Sequence, residues 1–167
     1  AQVRAGVARG PDEFRRKAEL AVAGGADFLK VIASGAVLAF GGVPGDPEMT
    51  PEEISAVVEV ARRHGLKVSA HAHGARAIRE AVVAGADTIE PASWIDAPAI
   101  ELARQHSVAL SMDVYNGDYI DTAGREQGWP EEFLRKNVET TAAQRQGFAQ
   151  AHAAGGPIVY GTDAAVY

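Results

Sequence analysis

The sequence predicts an α/β fold: a partial (β/α)8 barrel, about strands four to eight with their helices, in which residues 1–167 form one unit. Three observations lead there. Short apolar runs alternate with amphipathic helical stretches along the chain, and strands joined through helices pair in parallel. The segments "AGGADFLK" (23–30) and "VAGADTIE" (83–90) repeat one boundary, a helix end, a Gly-Ala-Asp turn and a strand, with Lys30 opposite Glu90 in the comparison. Finally, five strands can be counted, where a full barrel has eight and roughly 250 residues. The opening residues read as a loop or strand remnant, and no helix follows Asp163.

The elements follow in order. "PDEFRRKAELAVAG" (11–24) has proline and acids in its first turn and glycine after its last, which predicts a helix. "DFLKVIASG" (27–35) predicts a buried strand and is followed by the Gly- and Pro-rich loop "GGVPGDPEM". Thr50 and Glu53 form a capping box around Pro51, and Ile54, Val57, Val58 and Ala61 mark one helix face. After Gly65, "LKVSA" is the second strand, leading into His71. Residues 74–84 are helical, "DTIE" (87–90) is a strand, and Asp96 caps the helix "APAIELARQH". "VALSMDV" (108–114) is the fourth strand. A polar loop at 115–129, a helix from near Pro130 to about Ala153 and the strand "PIVYGTD" (157–163) complete the chain.

Composition narrows the function. A formal charge of -6 and the lack of basic clusters argue against nucleic acid as a partner. No apolar run approaches the roughly 18 residues that span a bilayer, and "AQVRAGVARG" lacks the apolar region of a signal peptide. Cysteine is absent, which removes disulfides, thiol nucleophiles and Cys-type zinc sites, and fits a cytoplasmic location. Any metal chemistry must use His, Asp, Glu or a modified Lys.

In a parallel barrel the reactive groups gather at the C-terminal strand ends. Those ends carry Lys30, Ser34, His71, His73, Glu90, Pro91, Asp113, Tyr115, Thr162 and Asp163. Lys30 interrupts an apolar run; it is either a lysine snorkelling from a strand edge or a functional amine, as a Schiff-base nucleophile or a metal-bridging carbamate. His71 and His73 project to one side of a strand, as ligands or as hydrogen-bonded histidines. Asp163 is either an N-cap or the general base beside a metal-bound water. The loop at 115–129, with its two tyrosines, tryptophan and Arg125, is a substrate lid or a plain surface excursion. The combination of Lys, His and Asp at separate strand ends is more specific than any of its parts.

"ADFLKVIASGAV", "VSAHAHG", "GADTIEPASWID", "LSMDVYNGDY" and "IVYGTDAAVY" resemble, in order and over nearly the whole chain, the amidohydrolase superfamily. The similar branch is that of the imidazolonepropionase-like and Xaa-Pro dipeptidase (prolidase-type) enzymes. The resemblance implies a (β/α)8 barrel with two divalent metals, commonly zinc, whose bridging hydroxide attacks a small amide. By the same resemblance Lys30 is the carboxylated lysine that bridges the metals, and His71 is a metal ligand. Asp163 binds one metal and shuttles the proton, while His73 and Tyr115 face the substrate, Tyr115 toward its carboxylate.

Two departures bear on activity. The family's first-strand His-x-His has no counterpart, and its sixth-strand histidine, which follows "TIE", is Pro91 here. Proline offers no metal-binding lone pair. Each metal then keeps only two of the residues Lys30, His71 and Asp163, fewer than the three protein ligands zinc normally takes. The expectation is a chain without, or with very weak, amidohydrolase activity by itself. The alternatives are a Schiff-base lyase using Lys30, and a non-catalytic barrel module. In either case the open sheet edges call for a second copy or a complementing N-terminal half.

Overall fold

The computed structural model describes residues 6–163. Residues 1–5 of the predicted opening remnant and the last four residues of "YGTDAAVY" lie outside the described residues. Among the described residues six helices and five strands follow in the order α1 (Gly10–Ala23), β1 (Phe28–Ile32), α2 (Pro51–Arg63), β2 (Lys67–Gly74), α3 (Ala75–Ala84), β3 (Thr88–Trp94), α4 (Ala97–His106), β4 (Ala109–Met112), α5 (Asn116–Glu126), α6 (Glu131–Ala153) and β5 (Ile158–Tyr160).

Local chemistry sets the helix boundaries. Thr50 Oγ1 accepts the Glu53 N–H at 3.3 Å while Glu53 Oε2 accepts the Thr50 N–H at 2.9 Å, the predicted capping box at the start of α2. Asp96 Oδ1 accepts the Ala99 N–H at 2.9 Å and caps α4. Gly85 ends α3 at φ 98°, a conformation that costs glycine no Cβ clash.

The strands pair in parallel in their chain order, β1-β2-β3-β4-β5. This is the arrangement of consecutive barrel units. Lys30 lies beside Ser69, Ser69 beside Thr88, and His71 beside Glu90. One sheet face carries Leu29, Val31, Val68, Ala70, Ile89, Leu110 and Met112, which form the core with buried residues of the surrounding helices. Burying an aliphatic side chain of this size contributes about 1.5–3 kcal/mol. The alternate residues turn to the other face, where the cavity lies.

Three local expectations change. β1 is half-buried rather than fully buried, because Phe28 and Ile32 share the outward alternation with Lys30 and remain exposed. β2 runs on to Gly74, so both histidines lie within the strand, and β3 continues through Pro91 to Trp94. The stretch 115–129 is mostly the helix α5 rather than a loop. Gly117 and Gly124 make the contact with α6: a Cβ at Gly117 would lie 2.2 Å from Thr141 Oγ1, and one at Gly124 2.7 Å from Leu134 Cδ2. Ile120 and Ala123 complete that buried face. Among the described residues no helix is long and apolar enough to cross a membrane.

The loop after β1 approaches the end of β2 so closely that a Cβ on Gly74 would lie 1.9 Å from the Gly45 carbonyl oxygen. That neighbour is backbone and cannot rotate away. Gly74→Ala is therefore expected to destabilise the protein by about 1–3 kcal/mol, read as a lower urea midpoint at unchanged m-value.

Candidate active site

A cavity of about 420 Å³ lies at the C-terminal ends of the strands. Its floor is organised by Glu90. Glu90 Oε2 accepts the Lys30 ammonium at 2.9 Å, and Oε1 accepts the Ser69 hydroxyl at 2.9 Å and the Thr88 hydroxyl at 3.3 Å. One carboxylate thereby links β1, β2 and β3. Burial pushes the Glu90 carboxyl up, but the Lys30 ammonium and the hydroxyls outweigh it and hold the group below the usual carboxylate range. The Lys30 side chain is 45% exposed. The expected burial of this lysine is thus corrected: the apolar residues around it alternate onto the opposite face, while its amine reaches into the cavity.

Period-two geometry places both histidines of β2 in the cavity wall. Their rings meet edge-on with centroids 4.7 Å apart. His71 Nε2 lies 3.4 Å from the Gly35 carbonyl. His73 Nδ1 pairs with Ser93 Oγ at 2.8 Å, and its backbone N–H donates to Ser34 Oγ at 2.9 Å. Burial lowers the His71 pKa, against the opposing pull of the Gly35 carbonyl, and Lys30 lowers it further. Burial, with His71 beside it, pushes His73 down to about 3. Near neutral pH His73 is an uncharged imidazole, able to offer one donor and one acceptor.

Asp113, just past β4, accepts from the side-chain amides of Gln144 and Asn116. Burial first, and then the nearby Asp163 and Glu90 charges, raise its pKa to about 6 despite its own backbone N–H and the Gln144 amide. Asp163 follows β5, with φ 51°, and lines the same cavity. Lys30, His71, His73 and Asp163 thus come together. Tyr115 stands apart: it is 69% exposed at the start of α5 and does not line the cavity. Thr162 is exposed, whereas Ser34 is buried and supports His73 from behind.

Sequence reasoning missed the outer wall. It consists of Ala36, Val37 and Leu38 from the loop after β1, with Asn137, Thr140, Thr141 and Gln144 from α6. The four α6 residues recur at i, i+3, i+4 and i+7, a helix-face signal carried by polar side chains. A search for apolar periodicity passes over such a stripe.

The sequence profile described as "Amidohydrolase family" matches residues 3–167. The chain belongs to the amidohydrolase family. Ochratoxinase from Aspergillus niger is 32% identical over 159 residues, which are 95% of this chain and 33% of that protein. The solved structure of a Xaa-Pro dipeptidase with bound methionine in its active site superposes with a TM-score of 0.87 at 31% identity, covering 95% of this chain and 39% of that one. A prolidase complexed with N-methylphosphonate-L-proline superposes with a TM-score of 0.89 at 28% identity, covering 93% and 38%. The chain therefore spans about a third of the length of the curated relatives it matches.

Amidohydrolases are generally metal-dependent, and a metal ion requires donors that converge on one point. Among the described residues no three His, Asp or Glu side chains converge to hold an ion. The Lys30 nitrogen is committed to Glu90, and Pro91 lines the cavity without a donor. The residues present do not by themselves fit a metal centre.

The lowered His73 pKa has a consequence with a definite sign. The folded imidazole stays neutral, while the unfolded one takes up a proton below about 6.5. The contribution of His73 to stability is therefore complete above pH 6.5 and is lost as pH falls toward its folded value of about 3. Asp113, with its raised pKa, acts in the opposite sense, so a variant comparison isolates the histidine. Between pH 6.5 and 4, urea unfolding should show His73→Gln gaining about 3 kcal/mol relative to wild type.

Proposed function

We propose that this chain is the C-terminal part of a hydrolase that cleaves a C–N bond in a small amide, with dipeptides ending in proline as the first class to test. The observation that supports this most is that Lys30, His71, His73 and Asp163 line one cavity at the strand ends of a chain of the amidohydrolase family. Likeness to a Xaa-Pro dipeptidase and a prolidase supports the substrate class.

In this reading Asp163 takes a proton from the attacking water and returns it to the leaving nitrogen. His73, uncharged and fixed by Ser93, orients the substrate by hydrogen bonding. Lys30 and His71 are this chain's share, with Asp163, of a divalent-metal centre, with zinc as the expected metal. The remaining donors would come from elements that this chain does not contain, since Pro91 supplies none. The chain alone is accordingly inactive or nearly so.

The Schiff-base alternative is disfavoured by the ion pair at Lys30, since an amine bound to Glu90 at 2.9 Å is not free to attack a carbonyl. The assembly reading has some support. Phe28 and Ile32 on β1, and Val159 and Tyr160 on β5, leave apolar surface exposed at both ends of the strand order. A complementing half or a second copy would cover it.

Zinc titration by calorimetry, with proline release from Xaa-Pro dipeptides on the same preparation, tests the proposal. The chain alone should show no tight zinc binding and no release. Supplying the N-terminal strands together with Pro91→His should bring about both. A repaired protein that folds yet binds no metal overturns the assignment of Lys30, His71 and Asp163.

A further inference from the structure

Lys136 is a lysine in the second turn of α6 whose side chain is only 2% exposed. A buried ammonium is costly unless fully paired, and this one is paired across almost 100 residues of sequence. Its Nζ donates to the carbonyl of Ala39 at 2.8 Å and to that of Gly41 at 2.6 Å, and lies 2.8 Å from Glu132 Oε1. Glu132 Oε1 also accepts the Gly41 N–H at 2.9 Å. Phe40, between the two anchored residues, packs on Phe133 with ring centroids 4.8 Å apart. The anchored segment directly follows Ala36–Leu38, the apolar part of the cavity wall. One turn further along α6, Thr140 Oγ1 donates to the Lys136 carbonyl at 2.6 Å, and Thr140 lines the same cavity.

We propose that Lys136, together with Glu132, is a positioning residue that fixes the Ala36–Leu38 wall over the strand-end groups, and that the fixed wall selects ligands by the apolar side chain they carry. The substrate part of this inference rests on the dipeptide reading above. Lys136 itself touches no ligand; the two backbone carbonyls it holds belong to a segment without helix or strand of its own. A short loop held this way loses little entropy on binding, because its order is already in place. Without the ammonium those carbonyls lose their donors, and the segment opens locally while the sheet beneath it stays closed.

Hydrogen exchange by mass spectrometry on residues 36–43, with NMR titration of leucyl-proline and glycyl-proline, tests this on the chain as it stands. Wild type should bind leucyl-proline roughly tenfold more tightly. Lys136→Met should speed exchange in 36–43 at least tenfold, leave β2 and α3 protected, and bring the two affinities close to equal. Lys136→Arg, which keeps charge and donors, should retain most of the protection and of the preference. Should Lys136→Met fail to fold, Glu132→Ala removes the counter-ion and the acceptor for Gly41 from a less buried site and should change both readouts in the same direction. Unchanged exchange in the folded variant, or a loosened loop with the leucine preference intact, overturns the inference. If wild type binds neither dipeptide, the substrate reading fails, and the exchange result alone decides whether Lys136 holds the wall.

Discussion

In-order parallel pairing is the constraint on which the rest of this structure depends. Five strands laid side by side in chain order bring all their C-terminal ends to one edge of the sheet. The two-residue alternation then gives each strand one face for the helices and one for the cavity. Leu29 and Val31 go to the helices while Lys30 goes to the cavity, and Ala70 and Ala72 are divided from His71 and His73 in the same way. Charge and hydrogen bonding therefore collect on the cavity face, and the apolar core remains free of them.

Glu90 shows what that arrangement does chemically. It draws Lys30, Ser69 and Thr88 together from β1, β2 and its own strand. The neighbouring histidines face the opposite condition: burial removes their charge rather than stabilising it. A site with a paired amine and uncharged imidazoles is equipped to bind and orient a small polar ligand. Membership in the amidohydrolase family gives that equipment a chemical context, and Pro91 lines the same cavity without a side-chain donor.

The outer wall of the cavity obeys a different rule. α5 and α6 pack through glycines and polar side chains, with Gly117 against Thr141, and Asn137 donating to the Gly117 carbonyl at 2.8 Å. Such a contact depends on close backbone approach and matched hydrogen bonds more than on apolar area. Composition hides it, since Gly, Asp and Asn are the residues that otherwise mark loops. The buried Lys136 is hidden for the same reason: its partners are backbone carbonyls in a loop far away in sequence.

Taken alone, the sequence determined the strand–helix alternation, the caps at Thr50 and Asp96, and the strand ends that carry Lys30, His71, His73 and Asp163. These follow from spacing, and spacing is local. The motifs at those ends were enough to indicate the family as well. Only the tertiary structure decided that Lys30 pairs with Glu90, that 115–129 is mostly helical, that Tyr115 lies off the cavity, and that α6 and the loop after β1 build its outer wall. Each of these depends on which distant groups meet and on how much water they lose in meeting, and neither is carried by the order of residues along one segment.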